Sequence, residues 1–85
     1  MYLHLGQNAV TSYDAIIGIF ELDVTSQSKK TREFLAVAQK NGQVKNVTDD
    51  LPASFVLCSN DGKTTVYLSR ISSKALFERI TRKAF

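Results

Sequence analysis

Two groups of basic residues are the part of this 85-residue chain whose types and spacing point most directly to chemistry. The first group opens a predicted helix, where cations oppose the helix dipole by roughly 0.3–1 kcal/mol. A bound anion would reverse this penalty, because free N–H groups and side-chain charge would both point at it. The alternative is a solvated face that tolerates a small cost. This first-helix cluster consists of Lys29, Lys30 and Arg32.

The second group, the C-terminal cluster, carries the surplus charge of the whole chain. Residues 69–85 hold five cations and one acid and sum to +4, whereas residues 1–68 hold six cations and seven acids and sum to −1. Such an asymmetry can mark an anionic partner. The alternative is the ordinary preference of cations for a helix C-terminus, which explains Arg82 and Lys83 well but Arg70 and Lys74 poorly. The members are Arg70, Lys74, Arg79, Arg82 and Lys83.

A nucleic acid is one anionic partner that these two clusters could contact. Contacts with about four to five phosphates would give a salt slope of roughly −4, so affinity would fall roughly several-hundred-fold between about 50 and 200 mM salt. A single 9.5 kDa domain with no helix-turn-helix spacing, zinc knuckle or aromatic RNA-stacking motif would bind weakly and with little sequence preference. We therefore predict a homo-oligomer, in which linked sites gain avidity.

The residue types that usually catalyse reactions or bind metals are scarce in this sequence. His4 stands alone on the polar side of a predicted strand, which indicates a solvated or hydrogen-bonded surface side chain. Cys58 lies in an apolar strand and is interpreted as a buried structural thiol. The adjacent Asp49 and Asp50 are interpreted as a solvated turn. We expect no catalytic residue, no metal site and no cofactor, and hence no enzyme.

Length and composition predict one domain that spans residues 1–85. Hydrophobic residues make up 44% of the chain and charged residues 22%, as in ordinary globular proteins. The N-terminus does not resemble a signal peptide, and no segment approaches the roughly 18–20 apolar residues of a membrane span. A single cysteine excludes an internal disulfide framework and favours a reducing compartment. We therefore expect a cytoplasmic protein without membrane contacts.

The hydrophobic pattern predicts an α+β fold, with a small mixed, largely antiparallel β-sheet of five or six short strands and two helices. A turn at residues 6–8 follows the alternating strand at residues 2–5. Residues 15–22 carry apolar residues at both odd and even positions, which is typical of a central strand covered on both faces. Gly18 in this segment indicates a bulge or a close approach of another backbone. Asp61 and Gly62 predict a hairpin between two further strands.

Two segments carry the signals of helices. The first is predicted at about residues 28–41, with Phe34, Leu35 and Ala38 on one face. It ends at Asn41 and Gly42 because glycine accepts the left-handed conformation of many helix ends. The second begins at Ser72 or Ser73. Its predicted buried stripe consists of Leu76, Phe77, Ile80 and Ala84.

Three segments resemble the bacterial RemA/RemB extracellular-matrix-regulator family. They are residues 1–6 (MYLHLG), 12–22 (SYDAIIGIFEL) and 33–35 (EFL), and the likeness spans nearly the whole chain. The resemblance implies a cytoplasmic regulator of biofilm-matrix genes from a Gram-positive bacterium. RemA-type members are DNA-binding transcription activators that form rings and hold DNA through a basic outer surface, so the resemblance also implies a ring-shaped oligomer and a RemA-like protein as a further partner.

The chain departs from the family pattern in two places. RemA-type members carry an Arg-rich loop before the penultimate strand, whereas the matching residues 49–54 (DDLPAS) contain no arginine. Near Asp14 they tend to carry a cation instead. Any DNA contact must therefore come from the first-helix and C-terminal clusters. The competing hypothesis is a protein-interaction or scaffold module, with the acidic loop at a subunit interface.

Self-association is also predicted from two apolar features near the chain ends. The strand at residues 2–5 is short and is predicted to be a sheet edge that pairs with a neighbouring copy. Phe85 is an apolar side chain that a monomer would bury poorly.

Overall fold

The computed structural model of the chain describes residues 1–22 and 28–83. Within these residues it contains six strands, one 3-10 turn at Tyr13–Ala15 and two helices. The predicted fold class is confirmed, as are the numbers of strands and helices. The elements are β1 (Tyr2–Gly6), β2 (Ala9–Ser12), β3 (Ile16–Glu21), α1 (Lys29–Lys40), β4 (Val44–Asn46), β5 (Ser54–Asn60), β6 (Lys63–Ser69) and α2 (Ser73–Lys83).

The six strands are divided between two sheets rather than joined in one. Strands β1 and β2 form an antiparallel hairpin, and the other four form a sheet in the order β3-β5-β6-β4. Only the β4–β6 pairing in this sheet is parallel. The strands are therefore mixed but largely antiparallel, as predicted.

Local turn chemistry fixes the register of the longest strand pair. Asp61 and Gly62 both have positive φ angles, 52° and 79°, as a two-residue type I′ turn requires. This turn joins β5 to β6, and the two strands stay in register from Asn60 opposite Lys63 to Ser54 opposite Ser69. The hairpin predicted from Asp61 and Gly62 is thus confirmed.

The four-stranded sheet buries apolar side chains on both faces. Val56 and Cys58 of β5 belong to a core with Leu3, Leu5 and Leu76, which come from the β1–β2 hairpin and α2. The alternate residue Phe55 belongs to a second core with Ala38 of α1. Since successive side chains of a strand point to opposite faces, α2 and α1 pack on opposite sides of the sheet.

Serine caps begin both helices. Ser28 Oγ accepts a hydrogen bond of 3.1 Å from the N–H of Thr31 in α1, and Ser72 Oγ accepts one of 3.1 Å from the N–H of Ala75 in α2. The predicted helix at 28–41 is confirmed, and Ser72 rather than Ser73 is the cap of the second helix.

The predicted apolar stripe of α2 is only partly buried. Leu76 is fully buried and Ile80 packs against the same core. Phe77 is 52% exposed, so its predicted burial is wrong: it follows Leu76 by one residue and turns about 100° away from the core. Ala84 and Phe85 lie outside the described residues.

Strand β3 lies at an edge of the described sheet, where the sequence predicted a central strand. Its apolar side chains contribute to both faces of the sheet, although only Ile19 is buried, and such a contribution does not require a neighbouring strand on both sides. Ile19 contributes to the core shared with α2, and Phe20 stacks on Phe55 in the core on the α1 side, with ring centroids 4.8 Å apart. The predicted irregularity at Gly18 is confirmed as a register shift between Ile16 and Gly18. A Cβ added at Gly18 would lie 2.7 Å from the Phe20 ring.

Candidate nucleic-acid interface

The topology brings the first turns of both helices to one end of the sheet. Strands β3, β4 and β6 run in the same direction, because β5 is antiparallel to both β3 and β6, and β4 is parallel to β6. Helix α1 follows β3 and precedes β4, so it must return across the sheet, and its first turn lies near the end of β3. Helix α2 begins just after β6 ends. We call this end of the sheet the carboxyl edge.

The first-helix cluster lies in the opening turn of α1. Lys29, Lys30 and Arg32 are all exposed, and this turn contains no acidic residue. Ser28 Oγ occupies the N–H of Thr31 and also donates a hydrogen bond of 2.8 Å to Thr31 Oγ1. The cap is therefore internally satisfied, while the charge of the turn is entirely positive. A phosphate near this turn would meet both the helix dipole and three cations.

The first two members of the C-terminal cluster also lie at the carboxyl edge. Arg70 follows β6 directly, and Lys74 is the second residue of α2. Arg70 Nη1 donates to Asp50 Oδ2 at 2.9 Å, and both side chains are largely exposed. An exposed ion pair of this kind contributes roughly 0–1 kcal/mol. Asp50 is thus an ion-pair partner and not only a solvated turn residue. The ion pair occupies Arg70 Nη1, so this group is not free to contact a phosphate.

The other members of the C-terminal cluster extend along α2, away from the carboxyl edge. Arg79 is exposed and donates a hydrogen bond of 3.2 Å from Nη1 to the backbone oxygen of His4. Arg82 and Lys83 end the described helix, and their side chains lie outside the described part of the chain. Five of the eight predicted cations therefore lie toward one end of the sheet, on two sides of it: Lys29, Lys30 and Arg32 at the start of α1, and Arg70 and Lys74 at the start of α2.

The two helix N-termini at this edge differ in their electrostatic partners. The N-terminus of α2 receives a carboxylate from β3, since Glu21 Oε1 accepts hydrogen bonds from the Ser73 N–H at 2.9 Å and from Ser73 Oγ at 2.7 Å. Such a carboxylate complements the helix dipole. The first turn of α1 has cations in the corresponding place, so the two predicted cationic regions are not electrostatically equivalent.

Two further cations lie on a cleft that the sequence analysis did not single out. Lys45 of β4 and Lys63 of β6 line a cleft of about 350 Å³, whose wall includes Tyr67, Thr11 and Cys58. Strand alternation explains this placement, because Lys45 pairs with Tyr67, and Lys63 lies on the same side of β6 as Tyr67. The pairing of β4 with β6 is needed to see it, and that pairing is not apparent from local sequence.

The structure shows the surroundings of His4 and Cys58, the single histidine and the single cysteine of the chain. His4 is exposed and its Nε2 lies 2.8 Å from the Gln7 backbone oxygen, as expected of a hydrogen-bonded surface histidine. Cys58 is buried, as predicted, with its Sγ 3.6 Å from Thr11 Oγ1. Burial raises the pKa of the Cys58 thiol, and the contact with Thr11 offsets part of this rise. No group of His, Cys, Asp and Glu suited to a metal ion occurs among the described residues.

Comparison with known proteins does not assign the chain to a family. No protein-family model matches the chain, and no curated protein is significantly similar to it. Neither of the two described helices is long and apolar enough to cross a membrane. The positions of the charged and apolar side chains are therefore the features that indicate a function.

Proposed function

We propose that this protein is a small, cytoplasmic, DNA-associated transcriptional regulator of biofilm extracellular-matrix genes, which binds DNA phosphates as a homo-oligomer. The main observation that supports this proposal is that both clusters have exposed cations at the carboxyl edge. Among the described members of these clusters, Arg70 alone forms an ion pair with a carboxylate. The resemblance of residues 1–6 and 12–22 to the RemA/RemB family supports the regulatory role.

The missing arginine loop limits how the protein would hold DNA. Asp49 and Asp50 follow β4 at the carboxyl edge, and Asp50 is paired with Arg70. A DNA backbone would be repelled by this loop and attracted by the first turn of α1. The first-helix cluster is therefore the main phosphate contact in this proposal, and the C-terminal cluster is the second.

Two charge-matched variants test the location of this contact. Lys29→Ala/Lys30→Ala/Arg32→Ala removes the first-helix cluster, and Lys40→Ala/Lys45→Ala/Lys63→Ala removes three cations elsewhere, so the formal net charge falls from +3 to zero in each. Fluorescence anisotropy of a labelled DNA duplex is measured across a salt series. We expect the cluster variant to lower the steepness of the salt slope by about 2 to 3, because each lost phosphate contact removes about 0.9.

The control variant should keep most of the wild-type salt slope. Equal changes in the two variants would show that binding follows net charge and not this cluster. A wild-type protein that fails to bind at about 50 mM salt and micromolar concentration, where phosphate contacts are strongest, would contradict the DNA-binding proposal. An Arg79→Ala/Arg82→Ala/Lys83→Ala variant with an unchanged slope would remove these three residues from the interface.

A second candidate function is a scaffold module of a RemA-like regulator that does not bind DNA directly. It is favoured by the Asp50–Arg70 ion pair and by the almost fully exposed Leu51. Leu51 lies beside an apolar groove of about 370 Å³, which Leu22, Leu35 and Leu68 also line. A pull-down from nuclease-treated lysate separates the two functions, because a scaffold keeps its protein partner after DNA is destroyed.

A further inference from the structure

We propose that the open edge of β3 pairs with the β3 strand of a second copy of this chain, antiparallel and around a two-fold axis. This assigns a surface to the self-association in the proposed function, but it does not depend on DNA binding. Within the described residues β3 has one hydrogen-bonded neighbour, β5. Unpaired edges of this kind are templates for a further strand.

The hydrogen-bond pattern shows which backbone groups face the open edge. The N–H of Leu22 donates to the Ala53 oxygen at 2.8 Å, next to the pair Glu21 and Ser54. Hydrogen-bonded and non-hydrogen-bonded pairs alternate along an antiparallel ladder. The backbone of Phe20 therefore faces β5, and the N–H and C=O of Ile19 face the open edge.

Exposed apolar side chains flank this edge. Ile17 and Phe20 of β3 are 61% and 45% exposed, and Phe34 and Val37 of α1 are 41% and 58% exposed. Phe20 and Phe34 both contact the ring of Phe55, with centroids 4.8 Å and 6.4 Å away, so the helix and strand parts of the surface are adjacent. These four residues, with the open edge, form what we call the β3 surface.

The extent of the β3 surface suits an interface between two copies. If a large apolar side chain presents about 150–250 Å², the four half-exposed side chains offer roughly 400 Å² per copy. A stable interface buries about 800 Å² per partner, of which a little over half is apolar. The edge backbone and surrounding polar groups would supply the remainder.

The charges of β3 favour a second copy in the antiparallel orientation. Glu21 is the only charged residue of β3 and stands at its C-terminal end. Antiparallel pairing around Ile19 places the two Glu21 carboxylates at opposite ends of the ribbon, so like charges do not meet.

The test is the mass of the DNA-free protein in solution, by light scattering and sedimentation over a wide concentration range. We expect the wild type to reach twice 9.5 kDa or an even multiple of it. Ile17→Glu should raise the dissociation constant by about 100-fold, because antiparallel pairing around Ile19 places residue 17 of one copy opposite Glu21 of the second copy, where two carboxylates repel. Val10→Glu is the matched control, since Val10 is 52% exposed on β2, outside the β3 surface.

Amide hydrogen exchange of the wild type provides a test that requires no variant. Exchange of the Ile19 N–H should slow as protein concentration rises, whereas the Phe20 N–H should be protected throughout. A monomer at every concentration would overturn the proposal. So would an oligomer unaffected by Ile17→Glu, or one dissociated by Tyr2→Glu on β1 but not by Ile17→Glu. Since no DNA is present, these outcomes are separate from failure of DNA binding.

Discussion

Two buried serine hydroxyls illustrate how single residues join the layers of this protein. Ser54 and Ser69 face each other across β5 and β6, and both are fully buried. Ser69 Oγ donates to the backbone oxygen of Leu5 in β1 and accepts from the N–H of Ile71 at 3.1 Å. Ser54 Oγ donates to the Ile71 oxygen at 2.7 Å. The turn between β6 and α2 is therefore held by side chains rather than by a sheet ladder.

Ser69→Ala tests this role at the residue scale. The substitution leaves the Leu5 carbonyl and the Ile71 N–H without their partner, so we expect the free energy of unfolding to fall by about 2 kcal/mol. Urea unfolding measures the change. Ser59→Ala on the exposed part of β5 is the control and should change stability by less than about 0.5 kcal/mol. A Ser69→Ala protein as stable as this control would show that water replaces the hydroxyl.

At the scale of elements, the cations in the first turn of α1 lower the stability of the free protein but favour the binding of an anion. This turn carries cations and no acid, whereas the first turn of α2 is complemented by Glu21. Stability alone would favour an acid at both helix starts, because the dipole attracts negative charge there. The positive charge of α1 is therefore costly unless an anion binds.

Lys30→Glu separates these two effects because they have opposite signs. Removing a cation from the helix start and adding an acid should raise the free energy of unfolding by about 0.3–1 kcal/mol. The same change should weaken DNA binding in the anisotropy assay. Lys40→Glu in the last turn is the matched control: it changes charge equally, yet it should lower stability. Greater stability with unchanged DNA affinity would identify the first-helix cluster as a solvated face.

The turns and helix ends that depend on neighbouring residues were predictable from the sequence. The positions of the strands within the sheet were not. Asp61 and Gly62 specify their turn by themselves, and Ser28 and Gly42 bracket α1 within one or two residues. The edge position of β3 depends on β5 and β6, which come more than thirty residues later. Apolar patterning reports burial and does not report the number of neighbouring strands.

The candidate site shows the same division between residue type and placement. The cations of both clusters were identified by charge, but the carboxyl edge follows from the parallel direction of β3, β4 and β6. The Arg70–Asp50 pair joins residues twenty positions apart, and no spacing rule indicates it. Lys45 and Lys63 were missed because only the β4–β6 pairing places them on one cleft.

At the scale of the whole molecule, DNA binding and self-association should be linked. Ile17→Glu and Val10→Glu each lower the net charge by one, so simple electrostatics predicts the same loss of DNA affinity for both. We expect a far larger loss for Ile17→Glu, because a monomer also loses the avidity of two linked cation sets, worth about 100-fold or more. Anisotropy at fixed salt measures both variants. Equal losses would show that each copy binds DNA independently.

The crossover from β3 through α1 to β4 determines when this sheet can form during synthesis. Strands β3 and β4 are not neighbours, and each pairs with a strand that is translated later. When the first half of the chain leaves the ribosome, β3 and β4 therefore have no partner strand to pair with. The apolar residues of β3 stay exposed to solvent until β5 is made. Because the β5–β6 hairpin closes through a two-residue turn, its emergence is the event that lets both outer strands dock.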